Sequence, residues 1–225
     1  MCMELAILGG TGDIGEGLAM RFASDTDHAI TIGSRDAAKA SERARTYEER
    51  LSAHAVETEI NGTDNSSAAA SADVVILAIP PHHVGDTVEA LAEADVLSDQ
   101  LLISPAVGMS GDGDGLHYRP PSTGSVTEFV AERAPESVPV AGAFHNLAAD
   151  RLADLEATLD VDTLVVADDP AVSDRVVSLT ADLAGVRPIP AGPLSNAAEV
   201  ESLTPLLINI ARYNEDMHDV GVTFS

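Results

Sequence analysis

The chain comprises 225 residues, 45% of them hydrophobic, with a formal net charge of −25. This length accommodates one large or two modest domains with a substantial core, and the hydrophobic share, laid out in regular patterns, excludes a disordered acidic chain. The 37 acidic residues against eleven arginines and one lysine exclude a general basic surface for nucleic acid or anionic membrane.

In chain order, Met1 to Ala6 contains Glu4 and no basic segment, so it does not read as a secretory signal. Cys2 is the single cysteine, which leaves no intrachain disulfide or cysteine cluster. A first strand, Leu5 to Leu8, runs into Gly9-Gly10-Thr11-Gly12-Asp13-Ile14-Gly15, and a helix from Glu16 to Ala23 follows. Gly10, Gly12 and Gly15 match a G-x-G-x-x-G fingerprint in its required setting of strand, turn and helix. Gly10 is expected to permit the tight turn, Gly12 the approach of a pyrophosphate, and Gly15 close packing of helix on strand. The pyrophosphate would sit at the helix N-terminus, where free N–H groups and the helix dipole favour an anion.

A second strand, Ala29 to Gly33, ends at Ser34-Arg35, with Lys39 four residues after the arginine. NAD sites usually place an acidic residue at this strand end to hold the ribose 2′-hydroxyl. A hydroxyl and two cations suit a 2′-phosphate instead, and Lys39 is the single lysine in the chain. The expected dinucleotide is therefore NADP.

Asp36 to Ala53 reads as a solvent-facing helix, Val56 to Ile60 as a strand, and Thr63 to Ala72 as a short helix. Asp73 to Ile79 is a β-branched run typical of a strand buried on both faces. Pro80-Pro81 stops it, Val84 to Ala94 is helical, and Leu101 to Ser104 is the next strand. Gly108 to Gly124, with five glycines and two prolines, reads as an irregular binding or covering loop. A helix (Ser125 to Ala134) and a strand (Val138 to Phe144) lead to His145-Asn146. Beyond these lie a helix (Ala148 to Leu155), a strand (Thr163 to Ala167), a helix (Ala171 to Ala184) and a short strand (Arg187 to Ile189). The last helix, Ala197 to Tyr213, carries an apolar stripe through Leu203, Leu207 and Ile210. The alternation predicts an α/β fold, a Rossmann-like doubly wound parallel sheet over residues 1–146, with a smaller C-terminal α/β part over 147–225. Ligands in such sheets bind beyond the carboxyl ends of the strands. Apolar runs such as Val74 to Pro81 are too short to cross a bilayer. A soluble cytoplasmic protein is expected, and the acidic balance suits a halophilic one, because concentrated salt shortens the range of carboxylate repulsion.

Leu8 to Gly12, Gly33-Ser34-Arg35 with Lys39, Ile79-Pro80, Ser104-Pro105, the strand ending in His145, Ala191 to Asn196 and Val200 to Leu207 together resemble the coenzyme F420-dependent NADP oxidoreductases of archaea and some bacteria. The resemblance runs over nearly the whole chain. The order of these pieces, A-G-P-L-S-N and E-S-L-T-P-L above all, is far more specific than the glycine motif alone. It implies hydride transfer between NADP(H) and coenzyme F420, an 8-hydroxy-5-deazaflavin, with NADP on the larger domain and the deazaflavin in a cleft against the C-terminal part. Carried over residue by residue, Thr11, Gly12, Asp13 and Ile14 would hold the pyrophosphate, and Ser34, Arg35 and Lys39 the 2′-phosphate. Ile79, Val84 and Val107 would line the path from adenosine to nicotinamide, and His145, Leu147 and Ala149 would stand near the two rings. Asp13 departs from the family pattern, where asparagine is common, and puts a carboxylate at the pyrophosphate turn, where it could cap a backbone N–H. His145-Asn146-Leu147-Ala148-Ala149 also replaces a more usual run with proline.

Such substrates carry the difficult chemistry themselves, so the protein need only bind, orient and exclude water, holding the rings at roughly 3–3.5 Å. No metal is expected. His145 is the candidate catalytic residue, as a hydrogen-bond partner of the deazaflavin or an aid in placing the accompanying proton, with a structural histidine as the alternative. Glu201, Asn209 and Arg212 fit a buried polar network or a subunit contact, and the apolar last helix makes a homodimer the expected assembly. Two further readings keep the NADP site: a redox sensor without turnover, and a reductase of a small carbonyl or imine compound.

Overall fold

The computed structural model describes residues 2–225 and bears out the α/β expectation. The first half runs β1 (Glu4–Leu8), α1 (Asp13–Asp25), β2 (Ala29–Ser34), α2 (Ala37–Ala53), β3 (Ile60–Asp64), α3 (Asn65–Ala70), β4 (Val74–Leu77), α4 (Pro81–Glu93) and β5 (Leu101–Ser104). There follow β6 (Met109–Asp112), β7 (Gly115–Tyr118), α5 (Val126–Ala131), β8 (Val140–Gly142), α6 (Ala149–Ala153), β9 (Val161–Val165), α7 (Pro170–Ala181), β10 (Val186–Pro190) and α8 (Ala197–Tyr213). Six strands form one parallel sheet in the order β3-β2-β1-β4-β5-β8. The chain reverses its winding direction between β1 and β4, and such a switch point opens a crevice at the carboxyl ends of the strands.

Side chains alternate across the pleat of β1. Leu5 and Ile7 join Ile30, Ile32 and Phe22 on the face covered by α1 and α2, while Ala6 and Leu8 join Val75, Val84 and Val130 on the opposite face. The first of these clusters continues without a break into Leu179, Leu183 and Val186 of the C-terminal part. There, β9 and β10 pair in parallel, and β9 is tied to the large sheet by a reciprocal antiparallel bridge between Gly142 and Val166. Among the described residues, no helix is long and apolar enough to cross a membrane.

Three expectations need correction. The strand expected over Val56 to Ile60 lies at Ile60–Asp64, because the ladder to β2 begins with Ile60 opposite Ile30. Asn61-Gly62 has turn composition, but Gly62 is a packing glycine: a Cβ there would lie 2.4 Å from the carbonyl of Ala40 on α2. Pro80-Pro81 both stops a strand and opens α4, with Pro81 in the first turn, where a missing N–H costs nothing. The segment Gly108 to Gly124 is not wholly irregular, since it holds the antiparallel hairpin β6–β7. Its anchors lie far away in sequence: the Asn209 side chain accepts from the Leu116 amide and donates to the Leu116 carbonyl, fastening the hairpin to α8.

Candidate functional site

The turn after β1 is built by glycines with separate tasks. Gly9, rather than Gly10, takes the left-handed conformation, at φ +78°. Gly10 serves packing instead, because a Cβ there would stand 2.6 Å from Cβ of Ile32. Gly15 does what its place in the motif implies, since a Cβ would lie 2.5 Å from the Gly9 carbonyl oxygen. Gly12 differs from these: a Cβ would meet nothing closer than that oxygen at 3.4 Å, so the protein itself does not demand glycine there. Gly12 is also the N-cap of α1 and makes no side-chain cap bond, and the Asp13 carboxylate does not cap the helix either. The first-turn amides therefore remain available to an anion.

The start of α1 borders a cleft of about 720 Å³ at the switch point. Gly12, Asp13 and Ile14 form one side, and Ile79 and Val107 border it from the ends of β4 and β5. His145, Leu147 and Ala149 line it from the segment after β8, facing Leu207 and Ile208 of α8, with Met109 at the hairpin. Thr11 is half-buried in the turn, whereas Gly10 and Gly15 lie buried behind it. Val84 does not line the cleft but packs in the core against the sheet. Ser34, Arg35 and Lys39 also lie outside the cleft lining, at the end of β2 and the start of α2. Ser34 Oγ accepts from the Asp36 amide at 3.2 Å, and Asp36 in turn caps α2. Arg35 and Lys39 are exposed, and neither forms an ion pair among the described residues.

Backbone strain delivers His145. Phe144 sits at φ +68°, a conformation bulky side chains rarely adopt, and such outliers cluster at functional sites. Its neighbours hold it there: the Thr163 hydroxyl accepts from the Phe144 amide at 3.2 Å, and Phe144 packs edge-on against Phe22. The Thr204 hydroxyl of α8 donates to the His145 carbonyl at 2.7 Å. The His145 ring is buried, with Nε2 3.4 Å from Thr127 Oγ1 and Nδ1 without a hydrogen-bond partner among the described residues. Behind Thr127 lies Glu201, a fully buried carboxylate in contact with Tyr118 of the hairpin. The sequence left Glu201 to a buried polar network or a subunit contact, and the structure shows the network; Thr127 and Gly142 were missed, since a threonine in a short helix and a glycine in a strand carry no signal alone.

Burial pushes the His145 imidazole down to a pKa of about 3, from an ordinary value of 6.5. It is neutral at physiological pH, which suits a hydrogen-bonding group rather than a cationic acid. Between pH 6.5 and 3 the unfolded chain binds the extra proton, so stability is fully present above pH 6.5 and is lost on acidification. At about 1.4 kcal/mol per pH unit, the loss at pH 5 comes to about 2 kcal/mol. Urea melts at pH 7 and pH 5 are expected to show that loss in the wild type and not in His145→Gln. Equal losses in both proteins would refute a buried neutral imidazole.

Residues 4–108 match the family described as NADP oxidoreductase coenzyme F420-dependent. The chain is 38% identical over 211 residues to an F420-dependent NADP reductase of Methanocaldococcus jannaschii, covering 92% of each sequence. It is 38% identical over 213 residues to an F420-dependent NADP reductase of Methanothermobacter thermautotrophicus, covering 93% of this chain and 90% of that one. In three dimensions it is similar to a crystal structure from Arthrobacter sp. FB24 described as a candidate F420-dependent NADP-reductase, with a TM-score of 0.80, 23% identity and 99% of each chain covered.

Proposed function

The chain belongs to the family of F420-dependent NADP reductases, and we infer from this that it transfers a hydride between NADP(H) and coenzyme F420. The observation that carries this reading is one cleft bordered by an uncapped helix N-terminus on one side and a buried, partly unpartnered histidine on another. The residues present suit both groups. Gly12 leaves open the space a pyrophosphate needs, and the amides at the start of α1 supply donors for it. When bound, the nicotinamide and the deazaflavin supply the hydride chemistry between themselves.

The protein's own part is binding, orientation and exclusion of water. In this proposal Thr11 to Ile14 hold the pyrophosphate, and Ser34, Arg35 and Lys39 hold the 2′-phosphate. Ile79, Val107, Leu147 and Ala149 form apolar walls that keep water from the reacting rings. His145 contributes hydrogen bonding from a neutral ring. The proposal includes NADP on residues 1–146, with 147–225 closing the deazaflavin side, and a homodimer working in the cytoplasm at high salt. Light scattering in molar salt that returns a monomer mass would remove the dimer.

The direct test mixes the protein with NADPH and oxidised coenzyme F420 in molar salt and follows the deazaflavin absorbance. Bleaching that requires NADPH and is reversed by excess NADP is expected. Binding of NADPH without bleaching would move the function to a redox sensor or to another substrate. Arg35→Ala tests the 2′-phosphate contact separately. A charge-assisted hydrogen bond is worth about 1.5–3 kcal/mol, so the NADPH dissociation constant should rise about 10–100-fold while that of NADH stays nearly unchanged. Equal losses for the two nucleotides would overturn the assignment.

A further inference from the structure

We propose that Glu201 and Thr127 are positioning residues that hold His145, which lines the cleft, as its Nε2–H tautomer and so fix which nitrogen of the ring carries hydrogen. The proposal rests on the cleft being the hydride-transfer site, as inferred above.

Glu201 is fully buried, and among the described residues it forms no ion pair. Four donors converge on it instead. Oε2 accepts from the Val126 amide at 3.0 Å and from the Tyr118 hydroxyl at 3.0 Å. Oε1 accepts from the Thr127 amide at 2.9 Å and from the Thr127 hydroxyl at 3.0 Å. Burial pushes the Glu201 carboxyl up, while these four donors oppose the shift. The Val126 amide and both Thr127 donors have no other acceptor, while the Tyr118 hydroxyl is shared with the Gly124 carbonyl at 3.2 Å; three committed donors suit the anion, and a proton on Oε1 would compete with the two from Thr127.

The consequence passes along the chain of contacts. With its single proton directed at Glu201, the Thr127 hydroxyl can only accept from His145, so Nε2 must be the protonated nitrogen across the 3.4 Å contact. A neutral imidazole with hydrogen on Nε2 carries a lone pair on Nδ1, the buried nitrogen that has no partner. His145 lines the cleft with its Nδ1 enclosed by the protein, so this chain of contacts fixes the orientation of the ring and the polarity it brings to the cleft wall.

Gly142 is an independent sign that the approach of the two side chains is built in. A Cβ at this strand end would lie 2.9 Å from His145 Cε1 and 2.9 Å from Thr127 Oγ1. With Val166 Cγ2 closer still, at 2.8 Å, a side chain at position 142 would have to displace Val166, the histidine or the threonine. The hairpin reaches the same network through Tyr118, and α8 reaches it through both Glu201 and Thr204. The elements that border the deazaflavin side of the cleft thus also set the state of the histidine.

The test reads the tautomer directly, by ¹⁵N NMR of histidine-labelled protein without ligand, with the His145 signals identified by their loss in His145→Gln. The wild type should show hydrogen on Nε2 and none on Nδ1. Thr127→Val, which keeps the shape and removes the acceptor, should yield a mixture or the opposite tautomer, and Thr127→Ser should restore the original. An Nδ1–H tautomer in the wild type, as a protonated Glu201 would produce, overturns the proposal, as does a tautomer unchanged by Thr127→Val. Because the NMR reading needs no ligand, it stands or falls apart from F420 turnover, so its failure is distinguishable from failure of the functional assignment.

Discussion

Gly9→Ala is expected to cost about 2–6 kcal/mol of folding stability and to weaken NADPH binding along with it. Two effects add. Gly9 occupies φ +78°, where a residue with a Cβ is strained by about 1–3 kcal/mol. The new methyl would also stand 2.2 Å from the carbonyl oxygen of Ala78 and 3.2 Å from Cγ1 of Ile79. The obstacle is mainly backbone, so a side-chain rotation cannot relieve it, and the ends of β1 and β4 must move apart. Ala78 and Ile79 border the cleft, which is why binding should suffer with stability. At about 2–4 °C per kcal/mol for a chain of this length, a thermal melt resolves the effect easily. Gly12→Ala is the informative contrast, because its methyl meets only one atom at 3.4 Å. Stability should stay within about 0.5 kcal/mol while NADPH binding falls, the methyl now occupying space kept for the ligand. If the two variants lost stability equally, the division of labour among these glycines would be wrong.

The contrast also marks what a sequence can reveal. The strand, glycine turn and helix at residues 4–25, the Ser34-Arg35 strand end and the buried run at Val74 were readable because each rests on a contiguous local pattern: glycine spacing between strand and helix, side-chain charge at a strand end, or an unbroken β-branched run. The task of each glycine was not, since what a Cβ would strike belongs to another strand: Ile32 for Gly10, Ala78 for Gly9. The same limit explains β3. Asn61-Gly62 has the composition of a turn, and only the helix lying across it shows why glycine is needed within a strand. The hairpin β6–β7 was hidden for a related reason. Its glycines and polar residues form a weak strand signal, and its fastening to Asn209, 93 residues away, is a tertiary fact.

The candidate site divides along the same line. His145 stood out as a polar residue at the carboxyl end of a strand, and Glu201 as part of a motif on the last helix. Their link through Thr127 depends on α5 and α8 meeting at the edge strand β8, which no local pattern encodes. Motifs identified the ends of the network, and packing supplied its middle.

The second large effect is expected at Arg21, which no motif singles out. Arg21 lies on α1 and is buried, yet it has no ion-pair partner among the described residues. Its guanidinium instead donates to four carbonyls: Leu152 at 2.9 Å, Arg151 at 3.2 Å, Ala157 at 2.8 Å, and Asp154. Those carbonyls belong to the end of α6 and the turn after it, so one side chain on α1 ties down a helix terminus; the Asp154 carbonyl also accepts from the Ala157 amide, and the other three depend on Arg21. Burial lowers the guanidinium pKa, but not enough to discharge an arginine. Arg21→Met keeps the aliphatic stem and removes every donor. With several carbonyls left unpartnered, each costing about 1–3 kcal/mol where buried, the total loss should be about 3–5 kcal/mol. Arg50 supplies the comparison, because it donates to the neighbouring Ala153 carbonyl at 2.9 Å from a side chain that is 40% exposed. Arg50→Gln should therefore cost only about 1 kcal/mol. The loss at Arg21 has a functional reach, since α6 opens with Ala149 and follows Leu147, both in the cleft wall. Urea denaturation measures the stability, and amide hydrogen exchange over residues 147–157 shows whether that wall loosens. A cost below about 1 kcal/mol with unchanged exchange would mean that the carbonyls find water, and that α1 does not hold the wall of the cleft through Arg21.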